Sequence, residues 1–190
     1  MKNLLVLSCI YLFSCNPATE TKIDATFVDS GFKQKGTAVE DADTALTADS
    51  KVAAIRTAVQ AINSQTLQVQ SFNWSEPSCA DVGTITYYLN NDEIVKVIET
   101  GFIGDGGWIQ EYYYSKGKFI FSFEQNIGGP AGLPADTNEM RIYMNADTLV
   151  LQKKNKKDLD DVSKKLTPAS REYRILKAWK DKNFGEVLCN

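Results

Sequence analysis

The chain has 190 residues, with 21 Lys and Arg against 24 Asp and Glu and no histidine, for a net charge of -3 at pH 7. That balance argues against nucleic acid as a partner and against a basic surface lying along a membrane. The missing histidine removes Ser-His-Asp and Cys-His catalysis and histidine-based zinc sites.

In chain order, Met1-Lys2-Asn3 is a short cationic start and LLVLSCIYLF an apolar run of about ten residues. A permanent membrane helix needs roughly 20 apolar residues, so residues 1–14 read as an export signal peptide. Leu12-Phe13-Ser14-Cys15 resembles a bacterial lipobox, which implies acylation of Cys15 and cleavage just before it. The competing readings are an ordinary signal peptide cleaved after Ser14 and an apolar first strand. Several acyl chains on Cys15 would hold the protein stably on a bilayer, where one chain holds only marginally. Asn16 stands where an aspartate would favour inner-membrane retention, so the expected home is the outer membrane. Loss of Lys2 leaves a mature net charge of about -4, one below the -3 of the full chain, against the same background of acidic residues.

Residues 15–47 are small, polar and acidic without a sustained period, the composition of a flexible tether. From Asp49 the pattern turns helical: Val52, Ile55, Val59 and Ile62 are spaced three and four apart, with Asp49 or Ser50 as the cap. After Gln65, LQVQSFNW alternates as a strand does.

Three segments then share one eight-residue plan of Tyr, a large residue, a polar turn and two apolar residues. They are Tyr88 to Val95, Tyr113 to Ile120 and Tyr143 to Val150. Asn91-Asp92 and Lys116-Gly117 are the expected turn pairs; Ala146-Asp147 is a poor pair, which predicts a longer loop. With Lys116-Gly117 as a two-residue turn, Tyr114 faces Phe119 and Tyr112 faces Phe121. These four with Phe123 are then expected on the core face, and Glu111, Tyr113, Ile120, Ser122 and Glu124 on the other. GFIGDGG, residues 101–107, is expected as a bulged turn, and residues 126–139 as a long loop with two prolines.

KKNKKDLDDVSKKL, residues 153–166, places Leu159, Val162 and Leu166 on one side and predicts a helix. Thr167-Pro168 opens another, with Tyr173, Leu176 and Trp179 as its buried stripe. The fold class is therefore α+β. Residues 48–190 form one domain with an antiparallel β-meander of six or seven strands, an N-terminal helix and two C-terminal helices, all packed on one sheet face.

Cys79 and Cys189 remain once Cys15 is lipidated, an even count in a compartment that permits disulfides, so a bridge is expected; the alternative is two buried thiols. A bridge over about 110 residues contributes roughly 4 kcal/mol in the chain-entropy picture. No phosphate or dinucleotide motif and no EF-hand is present, and no cofactor or metal is expected. Glu111 and Glu124, with Asp81, Asp105, Asp136 and Glu139, leave a carboxylate hydrolase open. Trp108, Tyr113, Asp105 and Asp136 form the candidate binding surface, Trp108 and the 126–139 loop being placed at an end of the sheet.

The lipobox, the acidic tether and the repeated Tyr-turn-apolar hairpins together resemble the small uncharacterised lipoproteins of Bacteroidota, and Tyr114-Ser-Lys-Gly-Lys resembles the strand-turn-strand unit of MORN repeats. The resemblance implies an exported, lipid-anchored class and carries over no catalytic or binding residue. The expected function is a non-enzymatic binding or accessory domain of the cell envelope, anchored in the bilayer through Cys15, with an envelope protein or a glycan as partner and no nucleic acid. The alternatives are a carboxylate-dependent envelope hydrolase and a carrier for a hydrophobic ligand.

Overall fold

A computed structural model describes residues 47–129, 135–160 and 163–189. The signal peptide 1–14, Cys15 and almost all of the tether 15–47 lie outside the described residues. The described chain is α+β: an eight-stranded antiparallel sheet in which each strand pairs with the next, and three helices. The helix α1 runs Ala48–Asn63. The strands are β1 Gln68–Glu76, β2 Ala80–Asn90, β3 Glu93–Ile103, β4 Gly106–Ser115, β5 Lys118–Gly128, β6 Asp136–Asn145, β7 Thr148–Lys154 and β8 Lys157–Asp158. The helices α2, Arg171–Asp181, and α3, Phe184–Cys189, follow.

Five two-residue turns join the described strands, and four of them share one backbone. Asn91-Asp92, Lys116-Gly117, Ala146-Asp147 and Asn155-Lys156 all have positive φ at both residues, the backbone whose twist matches that of the flanking strands. Ala146-Asp147 is therefore a tight turn rather than a longer loop. Each of the three repeated hairpins also carries a bulge. The register shifts by one between Tyr88 and Leu89, between Tyr113 and Tyr114, and between Tyr143 and Met144, leaving Val95, Ile120 and Val150 as the extra residues. These are the second of the two apolar residues in the repeated plan. The bulge lets the extra residue and the one after it face the same side of the sheet, Ile120 with Phe121 and Val150 with Leu151.

That bulge corrects the expected faces. Tyr114 does face Phe119, but beyond Ile120 the partners become Tyr113 with Phe121 and Glu111 with Phe123. Phe119 joins Tyr112 and Tyr114 in one core cluster, while Phe121 and Phe123 join Tyr113 in another.

The two clusters lie on opposite faces of the sheet. One holds Tyr87, Tyr112, Tyr114 and Phe119 against Ile175 and Ala178 of α2 and Phe184 and Leu188 of α3. The other holds Val52, Ile55 and Ile62 of α1 against Val95, Tyr113, Phe121 and Tyr143. The helices thus divide between two faces instead of sharing one. Buried tyrosine hydroxyls need partners, and they fix α2 in place: Tyr87 donates to the Ile175 carbonyl at 3.0 Å and Tyr114 to that of Glu172 at 2.7 Å.

The ends of elements differ from expectation for local reasons. Thr47, not Asp49 or Ser50, caps α1, its hydroxyl accepting from the Ser50 amide at 3.2 Å. The described residues of 153–166 form no helix, Val162 of the expected stripe lying outside them: Asn155-Lys156 turns the chain into β8, and residues 164–166 run along β7, with the Leu149 amide donating to Lys164 and that of Leu166 to Asp147. α2 starts at Arg171, after the Thr167-Pro168 turn closes on the Ser170 hydroxyl. Its most buried side is Glu172, Ile175 and Ala178, with Tyr173, Leu176 and Trp179 half-buried beside it.

The GFIGDGG segment is mostly strand, with only Gly104-Asp105 turning between Ile103 and Gly106. Its glycines seat aromatic rings: a Cβ on Gly101 would stand 2.1 Å from Trp108, and one on Gly107 2.7 Å from Phe102. Likewise both ends of the expected 126–139 loop are strand, because Asn126, Ile127 and Gly128 pair with Asn138, Thr137 and Asp136; residues 130–134 lie outside the described residues.

Candidate binding face

α1 crosses only part of its sheet face. The strand register sets Lys96, Tyr113, Phe121 and Tyr143 in one cross-strand row, and Ile98, Glu111, Phe123 and Arg141 in the next. The C-terminal end of α1 reaches the first row through Asn63. Two adjoining depressions that share Asn63 and Phe121 result, one of about 300 Å³ walled by Arg56, Val59 and Gln60, the other of about 440 Å³ floored by Tyr113 and Phe123.

A polar knot sits between them. The Lys96 ammonium lies 2.9 Å from Glu111 Oε2, donates to Asn63 Oδ1 at 3.1 Å and stands 4.8 Å from the centre of the Tyr113 ring. The Tyr113 hydroxyl donates to Glu111 Oε2 at 2.5 Å and lies 3.1 Å from Asn63 Nδ2. Burial, then the bond to Glu111, pushes the Tyr113 hydroxyl above its ordinary range. Burial works against the Lys96 charge, but Tyr113 and Glu111 more than offset it and hold the ammonium above its ordinary value. Both groups are moved away from neutrality, the opposite of what a general acid or base at pH 7 requires.

Cations flank the aromatic floor. Arg141 lies 5.1 Å from the centre of the Phe123 ring and 3.0 Å from Glu139, and Arg56 lies 5.6 Å from that of Tyr143. The result is an open, aromatic-floored groove with hydrogen-bonding groups at its centre, suited to holding a ligand by stacking and by amide or hydroxyl contacts.

The sequence-derived candidates scatter. Tyr113 is at the centre of the groove. Trp108 is on the opposite face, half-buried against the α2 and α3 cluster, its Nε1 donating to Glu99 at 2.9 Å. Asp105 sits in the β3–β4 turn and Asp136 opens β6, both exposed and at one end of the sheet. Cys79 and Cys189 form a disulfide, with Cα atoms 5.9 Å apart. Glu111 and Glu124, the acids of the central hairpin, fall on opposite faces: Glu111 meets Lys96 and Tyr113, whereas Glu124 accepts from Gln110. They cannot flank one scissile bond. Among the described residues no three carboxylate or cysteine side chains converge as metal ligands.

Sequence reasoning missed Lys96, Asn63 and Arg141, which only the strand register and the end of α1 bring to Tyr113. It also missed Glu99, which is fully buried and held by Arg171 Nη2 at 2.8 and 2.7 Å to its two oxygens, by Trp108 and by the Tyr112 hydroxyl at 3.4 Å. Glu99 takes an inward position on an alternating strand, a signal the sequence did carry. No protein-family model, curated protein or solved structure matches the chain.

Proposed function

We propose that the protein is a lipid-anchored binding or accessory domain of the cell envelope, without catalytic chemistry, that holds an extended glycan or peptide in the groove beside α1. The observation that carries this reading is the pair of adjoining depressions floored by Tyr113, Phe121 and Phe123 and centred on the Lys96, Glu111 and Asn63 knot. The resemblance of Leu12-Phe13-Ser14-Cys15 to a lipobox supports the anchor, and Asn16 after it supports the outer membrane as the proposed site. The binding reading is favoured over a hydrolase because Glu111 and Glu124 lie on opposite faces, and over a carrier because the buried rings of Tyr87, Tyr112, Tyr114 and Phe119 pack beneath α2 and α3.

Two experiments test the proposal. The full chain is screened on glycan and peptide arrays beside Tyr113→Ala and Phe123→Ala; hits that both variants lose support the groove, and hits that survive both refute it. Palmitate labelling in cells is expected for the parent and absent for Cys15→Ala. Labelling that persists in the variant removes the anchor.

A further inference from the structure

Beyond the groove, the same sheet face ends in a contiguous apolar patch. Val82 and Phe102 are direct cross-strand partners, Phe102 lays its ring over Gly107, and Gly107 pairs with Ile127, while Ile109 stands two residues further along β4. All four large side chains are exposed, Phe102 at 58% and Val82 at 54%. Scattered exposed apolar residues are ordinary, but four adjoining ones on one sheet face mark an interaction surface.

The border of this patch carries one sign of charge. The Asp81 carboxylate accepts from the Gly104 amide at 2.8 Å, which sets it beside the β3–β4 turn, and Asp105 is in that turn; Asp136 pairs with Gly128, one residue off from Ile127, and so belongs to the opposite face. No lysine or arginine occurs in residues 80–83, 100–109, 125–128 or 135–138, which build this end. Among the described residues neither Asp81 nor Asp105 joins an ion pair. We infer that this end of the sheet docks a partner protein segment whose apolar side chains are framed by lysine or arginine. A second copy of the chain meeting the patch about a two-fold axis would set aspartates against aspartates, and an anionic lipid surface would meet them with the same sign, so charge selects the basic partner over both.

The probe is a short amphipathic peptide of leucine and lysine, titrated into the full chain and followed by amide NMR shifts, with leucine-glutamate and serine-lysine peptides of the same length as controls. The expected result is shifts confined to the neighbourhood of Val82, Phe102, Ile109 and Ile127, none from the leucine-glutamate peptide, and much weaker ones from the serine-lysine peptide. Phe102→Ser should weaken binding at least about tenfold, and Asp81→Asn with Asp105→Asn about three- to tenfold, as rim charges do. These side chains are exposed, so the variants keep the fold, and their unperturbed spectra away from the patch establish that. Equal binding of the leucine-glutamate peptide, or shifts elsewhere or nowhere, overturns the proposal. So does sedimentation as a dimer that Phe102→Ser dissolves, which assigns the patch to a second copy, or Phe102-dependent binding to phosphatidylglycerol vesicles, which assigns it to lipid.

Discussion

Arg171→Met isolates the cost of a buried carboxylate. Glu99 has no exposure to water, and Arg171 Nη2 spans both of its oxygens while Arg171 Nε donates to the Tyr112 hydroxyl at 3.1 Å and Nη1 to the Leu188 carbonyl. Burial works against the Arg171 charge, but Tyr112 and Glu99 beside it more than offset this and hold the guanidinium above its ordinary value. Removing one partner of a buried pair costs about 3–5 kcal/mol, because the other charge stays behind without compensation. The Arg171 side chain is 32% exposed, so water replaces part of what it gave, and the expected cost is near the lower end, about 3 kcal/mol. With a urea slope of about 2 kcal/mol per molar, the unfolding midpoint falls by about 1.5 M. The assay is urea unfolding followed by tryptophan fluorescence, with Glu99→Leu combined with Arg171→Met as the decisive comparison. Replacing both partners by apolar side chains removes the stranded charge, so the double variant is expected to regain most of the loss. A single-variant cost below about 1 kcal/mol, or a double variant no more stable than the single, refutes the idea that charge compensation, rather than packing, is what Arg171 supplies.

Three further outcomes are expected. Burial, and then the charge of Glu99, raises the Tyr87 and Tyr112 hydroxyls, and burial raises Tyr114; since these stay neutral in the fold while ionising near pH 10 in the unfolded chain, stability is full below about pH 10 and declines above it. Absorbance at 295 nm should therefore show these tyrosines ionising only with unfolding, and smooth ionisation of all tyrosines near pH 10 in a folded chain would count against it. Reducing the Cys79–Cys189 bridge, which spans a separation of 110 residues, should lower stability by about 4 kcal/mol; urea curves with and without dithiothreitol measure it. Ala146 sits at φ 47, a left-handed conformation that costs a residue with a Cβ about 1–2 kcal/mol and that asparagine tolerates better. Ala146→Asn is accordingly expected to raise the melting temperature, with the turn geometry unchanged by NMR.

Local chemistry was legible in the sequence where it acts over a few residues. The α+β class, the hairpins at Asn91-Asp92 and Lys116-Gly117 and the inward stripe of α1 all follow from turn residues and period. The bulges were not: the paired apolar residues Ile94-Val95, Phe119-Ile120 and Leu149-Val150 read equally well as strand buried on both faces, and a strict period of two hides the extra residue and so misassigns Phe121 and Phe123. Residues 153–166 carry a helical spacing that two left-handed residues, Asn155 and Lys156, override in favour of a turn. The glycines at 101 and 107 looked like loop residues because their role is to receive the rings of Trp108 and Phe102 from the neighbouring strand. Glu99 and Arg171 are 72 positions apart, and nothing in a single sequence reports a partner at that distance. The split of helices between two faces was equally hidden, since amphipathic stripes show that a helix is covered but not by which side of a sheet.

A sheet in which every strand pairs with its sequence neighbour has no built-in reason to behave as a unit. Hairpins so ordered resemble stacked repeats, each stabilised by the adjacent one and free to fray from either edge. What ties distant parts together is the remainder of the chain. α1 grips β5, β6 and β7, α3 reaches back to β1, Arg171 reaches Glu99 on β3, and the bridge fastens the residue before β2 to the last turn of α3. The all-or-none character of unfolding therefore resides in the helices and the disulfide, while the strands supply most of the buried surface. Loosening α2 and α3 should convert one sharp transition into a staggered loss of hairpins, beginning at β1.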